Sequence, residues 1–384
     1  MRALTTKHYL ITGGAGFIGS NLLRTLFRDE PGCRITCIDN FDPFYSEKIK
    51  EFNIRPFADQ PGFTLHRVDL GTTTGAELAA LIPESVDVIV HLAAKAGVRP
   101  SIENPLAYQR SNVIGLQNLL DFARACKVTQ FVFGSSSSVY GINDHFPWNE
   151  DEQLMPVSPY ASTKLSGEML GHVYSRLFNI RFIALRFFTV YGPGQRPDLA
   201  IHKFTRSILA GEPIPFYGDG STSRDYTFVE DIIQGIRAAM KYSGSDFEVI
   251  NLGNHFSVSL KELLEAIEQV TGKQAIINRL REQPGDVPKT YADISKAQRL
   301  LGILERTDGF VLHRLIARHP VFHDERREAV GDEEARLLGP LVMEREPGVA
   351  SAREDEHTRT VRPARRRQVN LDLWTRDIAH EAAV

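Results

Sequence analysis

Cysteine is scarce in this 384-residue chain, with Cys33, Cys37 and Cys126 the only three. None forms a CxxC pair, and their odd number argues against a disulfide framework. Cys33 and Cys37 bracket a short strand-like run and read as reduced, partly buried thiols rather than metal ligands. Long hydrophobic runs are missing too. No stretch approaches the ~20 apolar residues needed to span a bilayer, and the opening MRALTTKHYLITGG has no apolar signal core. A cytoplasmic address and no membrane partner are expected. Net charge is nearly absent, formally −3 at pH 7, which removes any global electrostatic reason to bind nucleic acid.

What is present is an ordinary globular composition, 42% hydrophobic and 24% charged, in a chain long enough for a large core and two subdomains sharing one cleft. Short apolar runs at 8–12, 34–39, 63–70, 86–94, 130–136 and 182–188 alternate with helical spacing at 112–126 and 163–178. Runs without clean two-residue alternation suit strands covered on both faces. Their alternation with helices predicts an α/β fold with a parallel, doubly wound sheet of the Rossmann type. On this reading residues 1–186 form the dinucleotide-binding domain, with 226–256 returning to it. The Gly/Pro-punctuated segments 187–225 and 257–302 form a smaller C-terminal α/β lid for the substrate. Within the lid, 257–272 reads as a serine-capped amphipathic helix ending at Gly272. Residues 303–384 are dense in both charges, and the basic run at 362–367 reads as part of a solvated tail.

The stretch TGGAGFIG, 12–19, follows the first strand and opens a helix. Gly13, Gly16 and Gly19 permit a tight turn and close approach of backbone to a pyrophosphate, which a helix N-terminus favours. A glycine trio alone is weak evidence. Here Asp39 ends the second strand twenty residues beyond Gly19, where an acidic side chain hydrogen-bonds ribose hydroxyls and repels a 2′-phosphate. The expected cofactor is NAD rather than NADP, with Phe17, Ile18 and Asn40 in the same binding set.

Tyr160 and Lys164 in PYASTK are four apart and share a helix face. A tyrosine titrates near pH ~10, so as a base it needs a neighbouring cation. FGSSSSVYG, 133–141, ends a strand at the carboxyl edge of the sheet, where ligands of such folds bind.

With nucleotide loop, serine-bearing strand end and Tyr-x-x-x-Lys pair in this order, roughly residues 7–302 resemble the extended short-chain dehydrogenase/reductase family, in particular its nucleotide-sugar epimerases and dehydratases. The resemblance implies that Ser136, with Ser137 and Ser138 close by, binds a sugar hydroxyl. Tyr160 would be the base, and Lys164 its electrostatic partner and a nicotinamide-ribose contact. It places Asp69 and Leu70 of RVDL, and Leu92, Ala93, Ala94 and Lys95 of HLAAKAGV, around the cofactor. It assigns Arg99, Arg224, Gln283 and Asp286 to the UDP-sugar. Asp225 is the local alternative partner for Arg224, and His91, inside an apolar strand, reads as core. A homodimer built on helices near 106–126 and 158–178 is also implied.

Dehydrating relatives carry Asp-Glu at the two positions after the Ser136 equivalent, and decarboxylating relatives a glutamate at the second. Ser137 and Ser138 are neither useful acids nor bases, which points to epimerisation at C4 with NAD bound and not consumed. The segment FFTVYGPGQRPD, 187–198, is similar to UDP-glucuronate 4-epimerases, whereas relatives acting on neutral hexoses usually have asparagine in place of Thr189. Thr189 and Arg196 are therefore expected to hold the C6 carboxylate of a UDP-hexuronate. The local alternative for Arg196 is an ion pair with Asp198. The competing activities are a UDP-glucose or UDP-N-acetylglucosamine 4-epimerase, then a UDP-glucuronate decarboxylase. An NAD-sensing scaffold without turnover is the non-enzyme alternative, against which the intact Ser136, Tyr160 and Lys164 stand.

Overall fold

A computed structural model of the chain describes residues 6–281 and 287–303. Among the described residues twelve strands run in order: β1 His8–Thr12, β2 Arg34–Asp39, β3 Phe63–Arg67, β4 Val88–His91, β5 Gln130–Ser136, β6 Arg181–Phe187, β7 Thr189–Tyr191, β8 Pro213–Tyr217, β9 Ser223–Phe228, β10 Phe247–Leu252, β11 Ser257–Ser259 and β12 Ile276–Leu280. Seven form a parallel sheet in the order β10-β6-β5-β4-β1-β2-β3.

The alternation of inward side chains explains why these strands read as unbroken apolar runs. Tyr9, Ile11, Val88, Val90, Val132, Ile183 and Leu185 pack on one face with Leu22, Leu23 and Leu26 of the Phe17–Asp29 helix. Leu10, Ile89, Phe131, Phe133, Phe182 and Ala184 pack on the other with Leu116, Leu119 and Leu120 of the Gly115–Ala125 helix. Both faces are covered, so both parities must be apolar.

The sheet order reverses between β1 and β4. That switch leaves a crevice beyond their carboxyl ends, the place where open α/β sheets bind ligands. Smaller sheets cap this end: β11-β9-β7, in which β9 runs parallel to β7 and antiparallel to β11, and the parallel pair β12-β8. β10 joins the large sheet beside β6. The helix expected over 257–272 spans Leu260–Thr271; Ser259 and Glu262 form its capping box, and Gly272 ends it in the left-handed region. The helix expected over 112–126 is preceded by a π-helical stretch, Gln109–Ile114, before continuing as Gly115–Ala125. Cys33, just before β2, and Cys37, inside it, are both buried, further inside than the partial burial expected. Residues 304–384, including the basic run, lie outside the described residues, and no described helix is long and apolar enough to cross a membrane.

Candidate active site

A cleft of about 490 Å³ opens along the switch point, within the size range of small-molecule sites. Gly13, Gly16, Phe17, Ile18 and Gly19 form one wall. At Gly13, with φ +74°, a Cβ would lie 2.6 Å from the Ala93 backbone nitrogen; at Gly19 it would lie 2.2 Å from the Gly13 carbonyl oxygen. Only glycine lets the loop approach β4 this closely. The loop leads into the Phe17–Asp29 helix, whose first-turn N–H groups have no intrahelical acceptors and suit an anion.

Asp39 stands at the end of β2 with its carboxylate accepting N–H bonds from Ala15 at 3.0 Å and Phe41 at 2.9 Å. Burial pushes its carboxyl up from the usual range, and these two amides pull it back. A carboxylate has acceptor capacity beyond two bonds, so Asp39 can also take ribose hydroxyls. Asn40, Asp69, Leu70, Leu92, Ala93, Ala94 and Lys95 line the same cleft. Asn112 fixes the β4 exit by accepting from the Lys95 N–H at 2.8 Å and donating to its carbonyl at 3.0 Å. The residues present thus fit a dinucleotide: a helix N-terminus for pyrophosphate, and an acid for the ribose.

Farther along, Ser136, Ser138, Tyr160, Lys164, Thr189 and Arg196 share the cleft. Tyr160 lies in the first turn of the Pro159–Phe178 helix, which Ser158 caps by accepting the Ala161 N–H at 3.2 Å. One turn on, the buried Lys164 Nζ donates to the Gly134 carbonyl at 2.7 Å. Ser136 Oγ accepts the Ser138 N–H at 3.2 Å, which turns the end of β5 away from the sheet.

Burial pulls the Lys164 ammonium down to about 8, against the opposing charge of Glu168. Burial also pushes the Tyr160 phenol up, opposed by a hydrogen bond with Ser136 and by the positive charge of Arg196. Each factor that lowers the phenol comes from a residue the sequence singles out.

A buried ion pair braces this end of the sheet. Arg186 donates through Nε and Nη2 to the Glu168 carboxylate at 3.0 and 2.8 Å, and Ser135 Oγ donates to the same carboxylate at 2.6 Å. Arg186 is the cross-strand partner of Ser135 in the β5–β6 register. The brace therefore fixes Ser135, which stands between Gly134, the acceptor for Lys164, and Ser136.

The guanidinium of Arg196 makes a two-pronged bond to Asp198, Nε to Oδ1 at 3.0 Å and Nη2 to Oδ2 at 2.9 Å. The local pairing is therefore present, on an arginine that also faces the cleft. Three expected residues do not line it. Ser137 is buried in the turn after β5. Arg99 lies over the Tyr217 ring, 4.6 Å from its centroid. Arg224 donates to the Ser223 carbonyl at 2.8 Å. Asp225 is engaged by backbone instead, accepting from the Asn254 and Ala292 N–H groups at 2.8 and 3.2 Å. Gln283 and Asp286 lie outside the described residues. His91 is buried, stacked on Phe133 at 5.9 Å and bonded through Nδ1 to Thr12 Oγ1 at 2.7 Å, and burial pulls its pKa to about 3, so it stays neutral.

Sequence reasoning passed over Asp42, Phe44, Lys50 and Ser111, which also line the cleft. Asp42 holds Lys95 Nζ at 2.6 Å and its carbonyl accepts from Lys50 Nζ at 2.6 Å. The available signal was the alternation of acids and lysines just after the acidic end of β2.

A glycine-rich strand-to-helix turn, an acid ending the next strand and a Tyr-x-x-x-Lys pair facing the cleft with its lysine buried define a dinucleotide-dependent enzyme acting on a hydroxyl or carbonyl substrate. Residues 9–253 match the NAD dependent epimerase/dehydratase family, and the chain belongs to it. It is 37% identical over 296 residues to a UDP-glucuronate 4-epimerase from Thermodesulfobacterium geofontis, covering 77% of this chain and 90% of that one. The solved UDP-glucuronic acid 4-epimerase of Bacillus cereus, in complex with UDP-glucuronic acid and NAD, superposes with a TM-score of 0.75 at 36% identity, covering 81% of this chain and 97% of the other. A UDP-N-acetylglucosamine 4-epimerase from Methanobrevibacter ruminantium gives a TM-score of 0.72 at 30% identity, covering 82% of this chain and 98% of the other.

Two measurements test the buried charges. Glu168→Gln leaves the Arg186 guanidinium buried without its counter-charge and should cost about 3–5 kcal/mol of stability in urea unfolding; a loss within error of zero would contradict the brace. The ammonium of Lys164 is lost as pH rises through about 8. Proton transfer that depends on it should weaken there, seen as a falling limb in kcat/KM against pH; a plateau reaching pH ~10 would contradict its role.

Proposed function

We propose that the chain is an NAD-dependent 4-epimerase of a UDP-hexuronic acid, interconverting UDP-glucuronate and UDP-galacturonate. The observation that carries the substrate is that Arg196 and Thr189 line the same cleft as Tyr160, whose phenol feels the positive charge of Arg196. A cation there suits the planar C6 carboxylate of a uronate, and the 36% identical Bacillus cereus enzyme is described with UDP-glucuronic acid and NAD bound.

Bound NAD supplies the two-electron acceptor for the hydrogen on C4 and returns it. The rest falls to the chain. Tyr160 takes the proton of the C4 hydroxyl as the carbonyl forms and gives it back when the sugar is reduced on its other face. Lys164 stabilises the phenolate, and Ser136 hydrogen-bonds the same oxygen of the sugar. Neither Ser137 nor Ser138 can remove a proton from carbon, so the intermediate 4-keto sugar has only the return path. Asp39 and the loop at Gly13, Gly16 and Gly19 hold the dinucleotide, so oxidation and reduction occur in one residence and net redox change is zero. Arg196 restrains the C6 carboxylate, keeping the carbon–carbon bond to it out of line with the neighbouring carbonyl π system and so opposing decarboxylation.

A second copy of this chain is the partner inferred for the helices beside the cleft. Met169, Val173 and Leu177, spaced four apart on the Pro159–Phe178 helix, are exposed, as is Leu106 nearby; Leu177 is 67% and Leu106 80% exposed. Apolar side chains this exposed on adjoining helices are the pattern of a covered face. Leu177→Lys should convert dimer to monomer in analytical ultracentrifugation; an unchanged mass would remove the dimer from this face.

Incubating purified protein with UDP-glucuronate, without added NAD, should yield the C4 epimer by chromatography. Tyr160→Phe should lower turnover by about a hundredfold or more while retaining bound NAD. A UDP-pentose product, or full activity in the phenylalanine variant, would overturn the assignment.

A further inference from the structure

We propose that Asp198 and Phe44 are positioning residues for Arg196, and that the frame they build, rather than the charge of Arg196 alone, sets selectivity for a carboxylate-bearing sugar. The inference rests on the uronate reading above. An Arg196–Asp198 pair would ordinarily count against Arg196 as a substrate ligand. The geometry of the pair points the other way.

Asp198 uses only the Nε–Nη2 edge of the guanidinium. The second N–H on Nη2 and one of the two on Nη1 form the end edge of the guanidinium, which is itself a two-pronged donor for a second planar anion. The guanidinium carbon stands over the Phe44 ring, 5.4 Å from its centroid. One edge is thus held by Asp198 and the ring flanks the group, which fixes the guanidinium in a residue that lines the same cleft as Tyr160.

Phe44 comes from a loop rooted across the cleft, and that loop is itself fixed. The Phe44 N–H donates to Asp42 Oδ1 at 3.0 Å, while Asp42 Oδ2 accepts from Lys95 Nζ at 2.6 Å. Phe44 is 41% exposed, an apolar ring that core packing does not explain. Its contact with Arg196 gives it a use.

Asp198 and Phe44 hold the guanidinium in place before the sugar arrives. Affinity for a carboxylate then depends on alignment, which is a contribution of preorganisation.

Dissociation constants of UDP-glucuronate and UDP-glucose, measured by calorimetry on NAD-loaded protein, test this without requiring turnover of either. Asp198→Ala should weaken UDP-glucuronate by about tenfold and leave UDP-glucose within about twofold, with Phe44→Leu shifting in the same direction by less. Asp198→Asn, which keeps one acceptor, should fall between wild type and Asp198→Ala. Tighter binding of UDP-glucuronate to Asp198→Ala would show that Asp198 competes for the arginine, and equal weakening of both nucleotides would show a merely structural role; either overturns the proposal. Arg196→Ala separates the two levels. If it leaves UDP-glucuronate affinity unchanged, the uronate reading falls; if it weakens UDP-glucuronate while Asp198→Ala does not, only the positioning role falls.

Discussion

The Lys164 ammonium, buried on the Gly134 carbonyl at 2.7 Å, is the constraint on which the rest of the site depends. Burying a cation is costly unless partners surround it. Here the partner is the end of β5, the same three residues that carry Ser136 toward the substrate side. Holding that strand end still is in turn the effect of the Glu168–Arg186 pair through Ser135. A lysine, a serine and a tyrosine from two elements thus share one rigid mount. Rigidity matters because the phenol is pushed up by burial and is brought down only by neighbours held at fixed distance.

The large sheet supplies that mount for a topological reason. Its order reverses between β1 and β4, so two loops part at one edge. The first carries the glycines that leave room for a dinucleotide, and the second carries Lys95. The substrate side is assembled from later chain, β7 and the loop holding Arg196, placed over the same edge by the small β11-β9-β7 sheet. In the proposed function, cofactor chemistry rests on the parallel sheet and selectivity on the loop that holds Arg196.

Legibility in the sequence follows the range of the interactions. Gly13, Gly16, Gly19 and Asp39 could be read because a strand–turn–helix–strand unit is local and its spacing is set by backbone geometry. Tyr160 and Lys164 could be read because one helical turn brings them to one face. The expected strands over 8–12, 34–39 and 130–136 match to the residue, since each is apolar at both parities and bounded by polar turns. Arg196 was seen as a choice between Asp198 and a ligand, and the sequence had no means of showing that one guanidinium has an edge for each. Phe44 and Asp42 were missed because their meaning comes from a loop folded across the cleft onto residues about fifty and one hundred and fifty positions away. Arg224 and Arg99 are assigned to the UDP-sugar by family resemblance, and motif spacing does not fix where a long side chain points: one donates to the Ser223 carbonyl, the other lies on the Tyr217 ring.

The central claim is that the hydrogen on C4 leaves and returns within one residence of the sugar, with the chain moving only the hydroxyl proton. UDP-glucuronate deuterated at C4, turned over in ordinary water and followed by mass spectrometry and proton NMR, tests this directly. Full retention of deuterium at C4 of the epimer is the predicted result. Its loss to solvent, or the appearance of solvent hydrogen on any carbon of the sugar, would contradict the account.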